Sequence, residues 1–139
     1  METINLINIP FSAGGLGKTS GVEKGPEAIV SEMKDIFTSE EGKVPSFDIS
    51  SVEVDNGNIE KTNTEITLAA ESSIRNGKSI FLGGDHSITY SLVKGFAHVY
   101  PDNPGIVIFD AHPDACTDFN PPTHEDLLLA LVKEKIIAP

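Results

Sequence analysis

Two short segments concentrate the residues with reactive potential. Gly83-Gly84-Asp85-His86-Ser87 and Asp110-Ala111-His112-Pro113-Asp114 each combine carboxylate and imidazole within five positions. In an extended backbone alternate side chains point to the same side, so Asp110, His112 and Asp114 are expected to face one volume. Carboxylate and imidazole donors suit a borderline or hard divalent ion such as Mn2+, Zn2+ or Fe2+. Asp110, with two oxygens, can bridge two ions, and a cation offsets the cost of crowding carboxylates at a buried strand end. A lone D-x-H-x-D is more often a solvated polar turn. The second cluster changes that reading, because two such segments at neighbouring strand ends can share one site. His98 reads as structural, and Cys116 as a small buried or partly exposed residue rather than a nucleophile.

Each cluster follows a short apolar run. Ser79-Ile80-Phe81-Leu82 is too short for a helix between Gly77 and Gly83 and reads as a buried strand. Ile106-Val107-Ile108-Phe109 is β-branched and continuous, as a central parallel strand should be. Sites in open α/β sheets form beyond the carboxyl ends of strands, which is where both clusters fall. Upstream, residues 4–9 and 47–49 read as further strands, giving four parallel strands. Pro26 suits the first position of a helix with Ala28, Ile29, Met33, Ile36 and Phe37 as its buried stripe. A helix over residues 59–75 presents Ile66, Ala69, Ala70 and Ile74 and stops at Asn76-Gly77. Another covers residues 87–98. The last begins after Pro121-Pro122, with Thr123 as cap, Asp126 as its acidic partner, and Leu127, Leu128, Leu131 and Val132 as its apolar face. Strands alternating with helices predict an α/β fold, a three-layer α/β/α arrangement with a parallel sheet. The whole of 1–139 reads as part of a single domain, incomplete because an αβ connection at its end should lead into another strand.

The formal charge of −11, from 21 acidic and 10 basic residues, argues against nucleic acid or an anionic membrane as partner. It suits a metal ion or a cationic substrate, and equally a plain solubility role. One cysteine cannot form an internal disulfide, so a reducing compartment is expected. The opening METINLINIPF has no basic region followed by an apolar core. No stretch approaches the roughly 18–20 apolar residues that span a bilayer. The expected location is cytoplasmic.

Three segments carry a family resemblance: GVEKGPEAI at 21–29, LGGDHS at 82–87 and FDAHPD at 109–114. In order and spacing they resemble signatures of the arginase, agmatinase and formimidoylglutamase group, the ureohydrolases. The likeness covers nearly the whole chain; its second and third signatures are specific, and the first alone is weak. The resemblance implies two Mn2+ ions at the carboxyl edge of a parallel sheet. By motif position His86 would ligate one ion and His112 the other, Asp110 would bridge them, and Asp114 would join His86. A hydroxide between ions about 3.5–4 Å apart, available because the shared water's pKa falls to about 7, would attack a guanidinium or formimidoyl carbon. Asp110 and His124 are then the catalytic candidates. His124 falls where relatives carry a proton-shuttling histidine, although Glu125 stands in place of their usual glycine; a role near the helix cap is the alternative. Asp85 is expected to orient the loop or a ligand histidine. Thr117, Asp118 and Asn120 lie where relatives contact the far end of the substrate.

The chain also departs from the family pattern. The later S-x-D-x-D ligands and a substrate-binding glutamate are absent from this sequence, and in relatives later strands insert between the two that carry ligands here. The expectation is a metal-dependent hydrolase of linear C–N bonds whose present portion is inactive alone, working as an oligomer or with a complementing chain. Whether this chain is itself an enzyme stays open. One alternative is a non-catalytic metal-binding or assembly subunit. A weaker alternative is a P-loop-like nucleotide-binding protein with its loop at Gly14 to Thr19; the common pattern is broken at Ser12, where it needs glycine, and Gly21, Gly25 and Pro26 interrupt the helix that should start at Lys18. The single-zinc deacetylase relatives are disfavoured by G-G-D-H-S. The choice among guanidino and formimidoyl substrates rests on residues mostly outside this chain.

Overall fold

A computed structural model describes residues 3–138 except 19, 36, 37, 44, 103 and 117. Its elements are β1 (Thr3–Ile9), α1 (Gly25–Glu32), β2 (Ser46–Ser51), α2 (Ile59–Arg75), β3 (Ser79–Gly83), α3 (Ile88–Val99) and α4 (Leu127–Lys133), with short 3-10 turns at Ala13–Gly15, Val22–Lys24 and Met33–Asp35. The strands form one parallel sheet in the order β2-β1-β3.

The alternation of β1 sorts its side chains between two faces. Ile7 and Ile9 enter a core with Phe11, Val52, Ile66 of α2 and Ile88 of α3. Leu6, of opposite parity, is also buried, but its lateral neighbours Ile49 and Ile80 are 49% and 43% exposed. One face of the sheet is therefore well covered and the other only in part. Asn58 caps α2 by accepting the Lys61 N–H at 3.0 Å. Helices α2 and α3 pack closely because Gly95 has no side chain: a Cβ there would stand 2.6 Å from the Thr67 carbonyl oxygen. A second apolar cluster, Tyr90 with Leu127, Ala130 and Leu131, fixes α4 against α3. At its rim the Tyr90 hydroxyl donates to Glu134 at 2.5 Å, and Lys94 reaches both groups at 3.0 Å.

Four expectations need correction. Residues 106–109 pair with no strand among the described residues, and Val107 and Phe109 are 81% and 97% exposed. A β-branched run calls for neighbours on both sides, and here none lies along it, so the sheet has three strands rather than four. For the same reason β3 is an edge and only half-buried. The stripe expected on the first helix is not buried: Ala28 and Ile29 are exposed, Met33 is half-buried, and Ile36 and Phe37 lie outside the described residues. The last helix starts at Leu127, not Thr123. The Thr123–Asp126 pair does form, but it closes the turn before the helix: Asp126 Oδ1 accepts both the backbone N–H and the hydroxyl of Thr123 at 2.7 Å.

Candidate metal centre

The first half of the site is set by the turn after β3. The Gly84 N–H donates to the Ile9 carbonyl at 3.0 Å and the Asp85 N–H to that of Phe11 at 2.9 Å. Only glycine fits at 84, since a Cβ would lie 2.0 Å from the Phe11 carbonyl oxygen. Asp85 is buried and fully engaged: Oδ1 accepts the Ser87 N–H at 2.9 Å and the Ser87 hydroxyl, and Oδ2 accepts the Gly14 N–H at 3.0 Å. Asp85 thus orients the loop, and His86 projects past the sheet edge just before α3.

The second half lies between residues 109 and 115. Asp110 Oδ1 accepts the His112 N–H at 2.9 Å. That backbone hydrogen bond, opposed by desolvation and reinforced by the electrostatic influence of His86, holds the Asp110 carboxyl below its usual range. Asp114 has φ +43°, a left-handed conformation that aspartate tolerates better than most residues. Its carbonyl accepts the Leu128 N–H at 3.1 Å, and the Cys116 N–H donates to the Glu125 carbonyl at 3.0 Å. The start of α4 therefore secures this segment.

The two halves meet. His86 Nε2 lies 3.0 Å from Asp114 Oδ2 and 3.5 Å from Asp110 Oδ2. One donor atom from each residue falls within 4.8 Å of the others. His86 Nε2 and Asp114 Oδ2 are both buried, and neither makes a hydrogen bond. At 3.0 Å the two stand at ion-pair distance, a pairing that needs a proton on the imidazole. Buried polar atoms normally find partners. An imidazole nitrogen and two carboxylate oxygens converging at these distances form a donor set that fits a hard or borderline divalent cation.

The remaining predicted residues fall around this group. His112 is not in it: its side chain is 80% exposed, with Nδ1 3.5 Å from Asp110 Oδ1. The left-handed turn at Asp114 and the bend at 111–112 break the extended geometry that would have aligned all three D-x-H-x-D side chains. Asp110 nevertheless sits between the imidazoles, Oδ2 towards His86 and Oδ1 towards His112. His124 is also outside the group. Its backbone N–H and its Nδ1 both lie 3.1 Å from the Gly14 carbonyl oxygen, and its Nε2 is 3.7 Å from Glu125. Asp118 pairs with Lys133 at 2.6 Å, Asn120 is exposed before a cis bond to Pro121, and Thr117 lies outside the described residues. His98 pairs with Glu71 at 3.2 Å on the surface, and Cys116 is exposed. In the glycine-rich loop the Gly14 N–H is taken by Asp85 and Lys18 pairs with Glu125 at 3.0 Å; no helix starts at Lys18, and Thr19 lies outside the described residues.

Sequence reasoning missed two participants. Gly14 links Asp85 to His124 through its N–H and carbonyl, and a Cβ on it would collide with Ser87 Oγ at 1.9 Å. Thr89 places its hydroxyl 3.1 Å from His86 Nδ1. The available signal for Thr89 was its spacing, three residues after a histidine at a helix start.

A parallel α/β sheet with a carboxylate–imidazole cluster beyond the end of β3 is an arrangement able to hold a divalent cation. The model of the arginase family matches residues 2–138, and the chain belongs to that family. It is 31% identical over 134 residues to arginase-1 of Mus musculus, a match covering 87% of this chain and 39% of the mouse protein. Among solved structures, formimidoylglutamase from Bacillus subtilis superposes with a TM-score of 0.81 at 23% identity, over 99% of this chain and 45% of that one. Formiminoglutamase of Trypanosoma cruzi, solved with Mn2+, gives 0.83 at 16% identity, over 97% and 49%. At these identities the two structures show the shared fold. The chain thus spans less than half the length of these relatives. No helix among the described residues is long and apolar enough to cross a membrane.

Proposed function

We propose that this chain contributes His86, Asp110, His112 and Asp114 to a two-Mn2+ centre that hydrolyses a linear C–N bond in a guanidino or formimidoyl compound. The observation that carries the reading is the convergence of His86 Nε2 and Asp114 Oδ2, both buried without a hydrogen-bond partner and 3.0 Å apart, with an Asp110 oxygen beside them. When bound, the ions would lower the pKa of a water to about 7 and make hydroxide available at neutral pH.

The chain's own residues have distinct tasks. His86, Asp110 and Asp114 supply donors to one ion. Asp110 turns its second oxygen to the side of His112, which suits a bridging ligand. Like any aspartate at neutral pH it is ionised, the form that binds cations. His124 has its Nδ1 engaged with the Gly14 carbonyl, which leaves Nε2 to accept or release a proton. The excess of acidic residues favours a cationic substrate.

The partner proposal rests on the unpaired outer edge of β3 and the exposed Val107 and Phe109. Further polypeptide of the family fold, in an oligomer or a complementing chain, would cover these and bring the remaining ligands. The test is amidine hydrolysis by this chain with and without the remainder of a family-length partner. Activity is expected only in the combination, and Asp110→Ala should abolish it. Turnover by the chain as a lone monomer refutes the need for a partner. Unchanged turnover in Asp110→Ala refutes the bridging role.

A further inference from the structure

We infer that Asp126, which lies outside the metal cluster, is a positioning residue that holds Asp114 in the backbone conformation from which it reaches a cation. The inference rests on the metal reading above and adds a residue to it. Asp126 is fully buried, and a carboxylate taken out of water needs its acceptor capacity filled. Its Oδ1 accepts the Thr123 N–H and hydroxyl, and its Oδ2 accepts the Phe119 N–H at 2.8 Å. Hydrogen bonds to a carboxylate are roughly twice as strong as neutral ones.

These bonds close a loop with no regular structure of its own: among the described residues, none from Asp114 to Thr123 is in a helix or strand. Its ties run to the start of α4. The Asp114 carbonyl accepts the Leu128 N–H, the Cys116 N–H donates to the Glu125 carbonyl, and Phe119 and Thr123 both donate to Asp126. Asp126 therefore keeps the far part of the loop wound against the helix start. The consequence falls on Asp114. Its φ of +43° is unfavourable for a residue with a Cβ and persists only where the surroundings over-determine it. In that conformation its Oδ2 is buried 3.0 Å from His86 Nε2. With Phe119 or Thr123 released, the loop relaxes Asp114 towards negative φ and carries Oδ2 away from His86 and Asp110. A cation would then have to restore the left-handed turn as it binds.

The experiment titrates the full chain with Mn2+ alone, by calorimetry, for wild type, Asp126→Asn and Ile66→Val, with urea unfolding of each. Asparagine keeps the shape but turns one acceptor oxygen into a donor, so either the Phe119 or the Thr123 N–H loses its acceptor. Ile66→Val is the destabilised control, since its core cluster contains no residue of the loop. Mn2+ affinity is expected to fall about fivefold or more in Asp126→Asn, the left-handed penalty that binding must then overcome, and to stay within twofold in Ile66→Val. A smaller loss in Asp126→Asn overturns the inference. An equal loss in both variants also overturns it, because affinity would then follow stability alone. If Asp126→Asn fails to fold, hydrogen exchange of the wild type decides. Coupling is reciprocal, so bound Mn2+ must slow amide exchange over residues 115–126 more than over α2. Equal slowing of the two segments, or none, overturns the role. Absence of Mn2+ binding by the wild type instead overturns the metal reading itself, and the inference with it.

Discussion

Replacing Gly84 with alanine would test the turn that launches His86. The added Cβ would stand 2.0 Å from the Phe11 carbonyl oxygen, 2.9 Å from its carbonyl carbon and 3.1 Å from its nitrogen. All three are backbone atoms next to a strand, so no side-chain rotation relieves the overlap. The closest contact is about 1.5 Å short of the roughly 3.5 Å optimum for non-bonded heavy atoms. The chain can restore it only by parting the turn from Phe11, which stretches the Gly84-to-Ile9 and Asp85-to-Phe11 hydrogen bonds of 3.0 and 2.9 Å. With about 1–3 kcal/mol for each of the two hydrogen bonds stretched, the expected loss is about 2–6 kcal/mol. Equilibrium urea unfolding measures it. Gly105 is the control: nothing lies within 4 Å of a Cβ there and its φ is not left-handed, so Gly105→Ala should stay within about 0.5 kcal/mol of wild type. A Gly84→Ala variant as stable as Gly105→Ala would refute the steric argument.

Three other outcomes follow from the same packing. Asp126 is fully buried and accepts from the Thr123 N–H, the Thr123 hydroxyl and the Phe119 N–H. Asp126→Ala should cost about 3 kcal/mol or more in urea unfolding, and a loss under about 1 kcal/mol would mean that the loop is held otherwise. Burial pushes the Glu134 carboxyl up, but the Tyr90 hydroxyl and the Lys94 ammonium outweigh it and hold it below its ordinary value of 4.5. A depressed folded pKa means that this contribution is intact above about pH 4.5 and is lost as pH falls through the lower folded value. Glu134→Gln should therefore flatten the acid limb of a stability–pH profile, by under about 1 kcal/mol because the carboxylate is partly solvated; an unchanged limb would count against the Tyr90–Lys94–Glu134 cluster. Phe109→Ser, at a side chain 97% exposed, should shift unfolding of the chain by no more than about 0.5 kcal/mol. A large loss would show that Phe109 is already covered.

Helix α2 was fully legible because its signals are local: Asn58 caps one end, Asn76-Gly77 closes the other, and Ile66 and Ala70 mark the buried face. Strand β3 was legible as an apolar run between Gly77 and Gly83 and β1 as the apolar run of residues 4–9, and the G-G-D-H-S and D-A-H-P-D segments named His86, Asp110 and Asp114, which the structure brings together. What misled was context. Ile106 to Phe109 has the composition of a central strand, but composition reports the neighbours a segment is suited to, not those it has. The same holds for Ile29. The helix start was misplaced because Thr123 and Asp126 satisfy one another in a turn before Leu127. The position of His112 could not be read from alternation, since one left-handed residue, Asp114, ends the extended stretch. The contact of Gly14 with Asp85 spans 71 positions and has no local signature.

Titration of the chain with Mn2+, followed by electron paramagnetic resonance of the free ion, compares wild type with His86→Ala and Asp114→Ala. The structure predicts that wild type removes Mn2+ from solution and that each substitution sharply weakens uptake, because each deletes one of the two buried donors that lack a hydrogen-bond partner. Equal uptake by all three proteins, or none by the wild type, would contradict the assignment of His86, Asp110 and Asp114 as a metal centre.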